Sequence, residues 1–199
     1  MKTAIIVAII VAILLLLIRN ARKPKQGWKP VAVPSGWHIL YSKGMPDRPT
    51  TTGTGYSFDF PTDPSYVGYV LDGTPRSLTG RLVSRGTITG GPIIPSEYPG
   101  ETALMSHFIQ RKGDDLTDPN GRWYSQQALK LVEGEFELST PLVVADWINV
   151  LGQHDERGFA DTLANVGAIG HVFGAEIGRG HGAHSTAARF TLESLETVG

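Results

Sequence analysis

The densest recognition chemistry in the chain is the run Arg122-Trp123-Tyr124-Ser125-Gln126. Sugar sites pair an aromatic face with planar hydrogen-bonding groups. The apolar face of a pyranose packs on the ring, while Arg, Gln, Asp or His bind its hydroxyls. On a strand, Arg122, Tyr124 and Gln126 project to one side and Trp123 and Ser125 to the other. A candidate strand at 102–111 offers His107, Ile109 and Arg111 on one parity and Leu104, Phe108 and Gln110 on the other. Assigning Leu104 and Phe108 to the core puts His107 and Arg111 on the open face. The expected ligand site is then His107, Arg111, Arg122, Tyr124 and Gln126, with stacking on Tyr124. The competing reading makes Tyr124 and His107 ordinary sandwich residues with satisfied polar tips.

Three other sets carry weaker signals. The turn at 112–121 holds Asp114, Asp115, Asp118 and Asn120. Calcium takes six to eight oxygens from such groups, but the spacing does not match an EF-hand loop. The same residues are also ordinary turn formers. Gly178-Arg179-Gly180-His181-Gly182-Ala183-His184-Ser185 sets two imidazoles three apart, yet zinc needs a further ligand. Its glycines mark a loop at the rim of a cleft, without the strand-to-helix context of a dinucleotide fingerprint. Glu133, Glu135 and Glu137 alternate along one strand and read as a solvated face. Glycosidic cleavage needs two carboxyls flanking a cleft, and no Gly-x-Ser-x-Gly elbow, P-loop or His-Glu-x-x-His occurs.

The elements that position these residues are short strands. Tyr56, Phe58 and Phe60 alternate with polar residues. In 78–89, Leu78, Leu82 and Ile88 share one parity and Arg81, Arg85 and Thr87 the other. Further strands are expected at 37–42, 66–71, 122–132, around Phe136 and Leu138, at 168–173, and around Ala188, Phe190 and Leu192. Phe159, Leu163 and Val166 form a short helical stripe. Residues 142–150 fit strand or helix. Gly and Pro, 24 and 13 of 199 residues, are about 19 % of the chain against a usual share of roughly 12 %. The expected fold is all-β, a two-sheet jelly-roll β-sandwich with one or two short helices.

Residues 1–30 hold six basic residues and no acid, so residues 31–199 hold twelve bases and nineteen acids, a net of −7. An acidic body lacks the basic footprint of a nucleic-acid surface. The absence of cysteine excludes disulfides, thiolate zinc sites and a Cys nucleophile. Ala4 to Ile18 is unbroken apolar sequence, and no Ala-x-Ala cleavage pattern follows it. The reading is a retained membrane anchor at 1–18, with a cleaved signal as the alternative. A Pro/Gly-containing linker at 19–36 and a β-sandwich domain at 37–199 follow. Basic residues after the span favour a cytoplasmic body, whereas binding of extracellular sugars needs it outside. The side is left open, as is the oligomeric state.

A further set of residues, taken in order, resembles a known group. Tyr56-Ser57-Phe58-Asp59-Phe60-Pro61, Phe108-Ile109-Gln110-Arg111-Lys112-Gly113-Asp114, Arg122-Trp123-Tyr124-Ser125, Trp147 and Gly152, Phe173-Gly174, Gly178-x-Gly180-His181-Gly182 and Arg189-Phe190-x-Leu192 look like bacterial galactose-binding-like β-sandwiches. Such domains include non-catalytic carbohydrate-binding modules of the family-11 type. The resemblance spans about residues 37–198. It implies a binding domain rather than an enzyme and allows a structural calcium ion; no other cofactor is expected. The expected function is a membrane-tethered, non-catalytic carbohydrate-binding module. The alternatives are a structural or protein-interaction domain of an envelope or virion assembly, or a hydrolase.

Overall fold

The computed structural model describes residues 32–199. The expected anchor at 1–18, and the linker as far as residue 31, lie outside the described residues. Among those described, no helix is long and apolar enough to cross a membrane.

Two large antiparallel sheets dominate, an all-β arrangement that fits a β-sandwich. The six-stranded sheet runs in the order β1 (Trp37–Leu40), β4 (Tyr69–Asp72), β11 (Val166–Gly174), β7 (Leu104–Arg111), β8 (Arg122–Lys130), β10 (Trp147–Asn149). The five-stranded sheet runs β2 (Thr50–Thr52), β3 (Gly55–Asp59), β13 (Arg189–Val198), β5 (Arg81–Thr89), β9 (Gly134–Pro141). A small ribbon pairs β6 (Ile94–Pro95) with β12 (Ala183–His184).

Helix α1 (Glu156–Ala164) takes up Phe159 and Leu163 of the expected stripe. Val166 instead opens β11. Asp155 caps the helix by accepting from the Gly158 N–H at 3.0 Å. Phe159 packs on Trp123 and Trp147, with ring centroids 5.0 and 5.7 Å away. The ambiguous 142–150 segment resolves into a 3-10 turn (Val144–Asp146) and then β10.

The alternating strands explain the core. Tyr56 and Phe58 of β3, with Phe60 just beyond it, turn inward with Ile88, Phe190 and Leu192 against Trp37, Val70 and Phe173 of the other sheet. Fully burying one such side chain is worth about 1.5–3 kcal/mol. Glu135 and Glu137 alternate with inward Phe136 and Leu138 and face solvent, as their parity requires.

A chain of polar side chains crosses this core. Tyr56 Oη lies 2.9 Å from His171 Nδ1. Ser84 Oγ lies 2.7 Å from His171 Nε2 and 2.8 Å from His107 Nε2. His107 Nδ1 lies 2.9 Å from Thr140 Oγ1. Tyr56, Ser84 and Thr140 belong to the five-stranded sheet, and the two histidines face each other on β7 and β11 of the six-stranded one. The chain therefore zigzags between sheets, and all five residues are fully buried. With both imidazoles neutral, the five groups carry five hydrogens for four bonds. A further proton would bring charge into the core without an acceptor. Burial accordingly lowers the His107 pKa to about 3 and pushes that of His171 well below its ordinary value.

His107 was expected on an open face and Phe108 in the core. The observed parity is the reverse: His107 lies between the sheets, and Phe108 packs on the outer side against Leu71, Tyr124 and Val172. The pattern offered no arbitration, because Met105 to Gln110 are all buried, on both parities.

Two outcomes follow. The folded state holds both histidines neutral, while the unfolded chain protonates them near 6.5. Stability should be full above that value and fall as pH drops toward 3. The slope should approach about 1.4 kcal/mol per pH unit for each histidine. Urea unfolding between pH 7 and 5, a range above carboxylate titration, reads this directly, and a flat profile contradicts a neutral buried pair. Ser84→Ala strands two imidazole nitrogens and should cost about 2–4 kcal/mol by denaturant unfolding.

Candidate functional site

Turning His107 inward leaves the outer face of the six-stranded sheet with an apolar centre. Leu71, Phe108, Tyr124, Ala168 and Val172 form it, flanked by partly buried Leu40, Tyr69, Ile148 and Val150. Over this face lies an open groove of about 380 Å³, within the roughly 300–1,000 Å³ of small-molecule sites. It is lined by Tyr69, Arg122, Tyr124 and Ile148 together with Ile177, Arg179 and His181.

The tyrosines form one connected surface. The hydroxyls of Tyr69 and Tyr124 are 3.2 Å apart. Phe108 meets both rings, with centroids 5.4 and 5.2 Å away. Tyr41 stands edge-on to Tyr69 at 5.3 Å and is 41 % exposed. Its φ of 50° is a left-handed conformation that non-glycine residues seldom adopt. Burial raises the pKa of both Tyr69 and Tyr124 above the ordinary tyrosine value. These hydroxyls therefore act at neutral pH as hydrogen-bonding groups rather than bases.

Arg122 lies on the same outer face, its Nε 3.1 Å from the fully buried Asp114 carboxylate. Its Nη2 donates to the Leu116 carbonyl at 3.1 Å. Asp114 also accepts from Gln110 Nε2 at 3.2 Å and from the Leu116 N–H at 3.1 Å. The guanidinium is thus held from behind, at one end of the groove.

Gln126 leaves this face. Between Ser106 and Phe108 of β7 there is one residue, while the matching positions Ala128 and Tyr124 of β8 enclose three. The resulting bulge ends the alternation. Ser125 Oγ fills the gap, accepting from the His107 N–H at 2.9 Å and donating to the Gln127 carbonyl at 2.6 Å. Gln126 Nε2 instead reaches the Ala145 carbonyl at 2.6 Å. Arg111 is also drawn off. It pairs with Asp118 at 2.5 Å and Asp161 at 2.8 Å, tying the 112–121 turn to α1, and lines a separate pocket of about 230 Å³. Of the five expected site residues, the structure brings Arg122 and Tyr124 together. It places Gln126 and Arg111 elsewhere on the surface and His107 in the interior.

Tyr41, Tyr69 and Arg179 were not singled out from the sequence. Arg179 donates to the Ser125 carbonyl and, at 3.2 Å, to the Gln126 carbonyl, both freed by the bulge. It also pairs with Glu176. This pins the glycine-rich connection over the sheet. The glycine spacing has a packing cause. A Cβ on Gly178, Gly180 or Gly182 would lie 2.3, 2.2 or 2.4 Å from Tyr98, Tyr69 or Tyr66 respectively. Gly180 also sits at φ 77°, where side chains are strained. The two histidines of this run do not converge. His181 Nδ1 pairs with Glu97 at 2.6 Å, and His184 Nδ1 faces Ser96 Oγ at 3.3 Å.

The carboxylates of the 112–121 turn are engaged within the protein. Asp114 and Asp118 each hold an arginine, and Asp115 accepts from the N–H and hydroxyl of Thr117 at 3.0 and 2.6 Å. Among the described residues, no group of three His, Cys, Asp or Glu is placed to hold a metal.

Gly180→Ala should therefore push Tyr69 out of place. Hydrogen exchange over residues 175–182 should speed at least tenfold, while the β3–β13 pairing stays protected. Unchanged exchange would mean that the loop is not packed on Tyr69.

No protein-family model, curated protein or solved structure matches the chain.

Proposed function

We propose that the protein is a non-catalytic carbohydrate-binding module, of galactose-binding-like jelly-roll type, carried on an N-terminal membrane anchor. The single observation that carries this reading is the open groove on the outer sheet face, where tyrosines adjoin Arg122 and Arg179. Aromatic rings supply the stacking surface for a pyranose, and fixed guanidinium and hydroxyl groups supply directional hydrogen bonds. The alternation of β3, β4, β5 and β7 between the five- and six-stranded sheets supports the jelly-roll connection. Tyr124 is 91 % hidden and bonded to Tyr69, so the stacking surface falls to the edge of Tyr69 and to exposed Tyr41, which stands against Tyr69 just outside the groove lining.

A protein partner is the second reading. It is favoured by Ile177 and Leu151, 68 % and 64 % exposed, since Ile177 lines the groove and Leu151 lies between lining residues Val150 and Gly152.

A glycan array probed with the full chain should retain it on a defined set of glycans. Tyr41→Ala should weaken that binding about tenfold, near 1.4 kcal/mol, with an unchanged circular dichroism spectrum. Retention on no glycan by a folded chain would sink the carbohydrate reading.

A further inference from the structure

Both arginines lining the groove are already matched by a carboxylate, and His181 beside them bonds a third. Arg122 faces Asp114 at 3.1 Å, Arg179 contacts Glu176, and His181 meets Glu97 at 2.6 Å. The Glu176 and Glu97 side chains are 62 % and 57 % exposed. An incoming carboxylate therefore meets two accessible negative groups before it reaches a guanidinium. It would have to displace Asp114 from a site where that side chain is fully buried, or compete with Glu176. Both cost Coulomb energy with no new cation in return.

A sugar hydroxyl meets the opposite situation. It donates and accepts at once, so it can bridge the two members of an ion pair: it accepts from the guanidinium and donates to the carboxylate. Ion pairs bordering an aromatic floor thus suit a neutral polyol better than an anion. The body's net charge of −7 acts in the same sense at longer range, by repelling polyanions.

We infer that this groove selects uncharged glycosides and discriminates against uronate-containing and sialylated ones. The inference rests on the carbohydrate reading above.

Isothermal titration of the full chain tests it, with neutral hexaoses (gluco-, manno-, xylo- and galacto-configured) set against galacturonate hexamer and sialyllactose. The expected result is binding confined to neutral oligosaccharides, changing less than twofold between 0.05 and 0.5 M NaCl. Salt screens ionic attraction over this range and leaves hydroxyl recognition largely untouched. Tighter binding of an acidic glycan, weakened more than tenfold by the same salt step, overturns the inference and leaves the binding-module reading standing. Absence of binding to either class overturns both.

Discussion

The polar chain Tyr56–His171–Ser84–His107–Thr140 is the constraint from which the rest of the molecule follows. Each link bridges the two sheets. An imidazole that leaves this chain loses partners it cannot replace among phenylalanines, and an unmade buried hydrogen bond costs more than a made one gains. The chain therefore fixes the parity of β7 and β11. Once His107 and His171 point inward, Phe108 must point outward, and Tyr124, its neighbour across the ladder on β8, goes with it. The groove is the other side of that choice.

Local devices then convert an outer sheet face into a shaped groove. The β8 bulge frees the carbonyls of Ser125 and Gln126. Arg179 takes both, which brings the 175–182 connection over the sheet. The glycines of that connection give room for Tyr66, Tyr69 and Tyr98 beneath it. On the opposite flank the 112–121 turn supports Arg122 through Asp114, and Arg111 ties that turn to α1. Acidic side chains that resemble a metal cluster in the sequence are thus spent on turn geometry and arginine placement.

The strands with one solvated side were legible from alternation alone: β5, β9 and β13 sit where hydrophobic and polar residues take turns. Period-2 patterning identifies a half-buried strand because one face meets water. That signal fails for β7, which is covered on both faces. Its two parities looked equally apolar, and only the long-range partners Ser84 and Thr140 decide between them. Arg122 and Tyr124 share a face, as alternation requires, because they stand two apart on β8 on one side of its bulge. Gln126 was misplaced by a bulge that no local residue announces. Arg179 was hidden because a glycine-rich run reads as a loop, and its carbonyl partners lie more than fifty residues away.

Two imidazoles sealed in the core also define the outer groove. The most direct measurement is a histidine titration by NMR, following the imidazole nitrogens of all six histidines from pH 8 to 5. His107 and His171 should stay neutral throughout, with fixed tautomers and correlations across their hydrogen bonds to Ser84. Titration of either one near 6.5 would place it in contact with water. The parity of β7 and β11, and with it the groove, would then be contradicted.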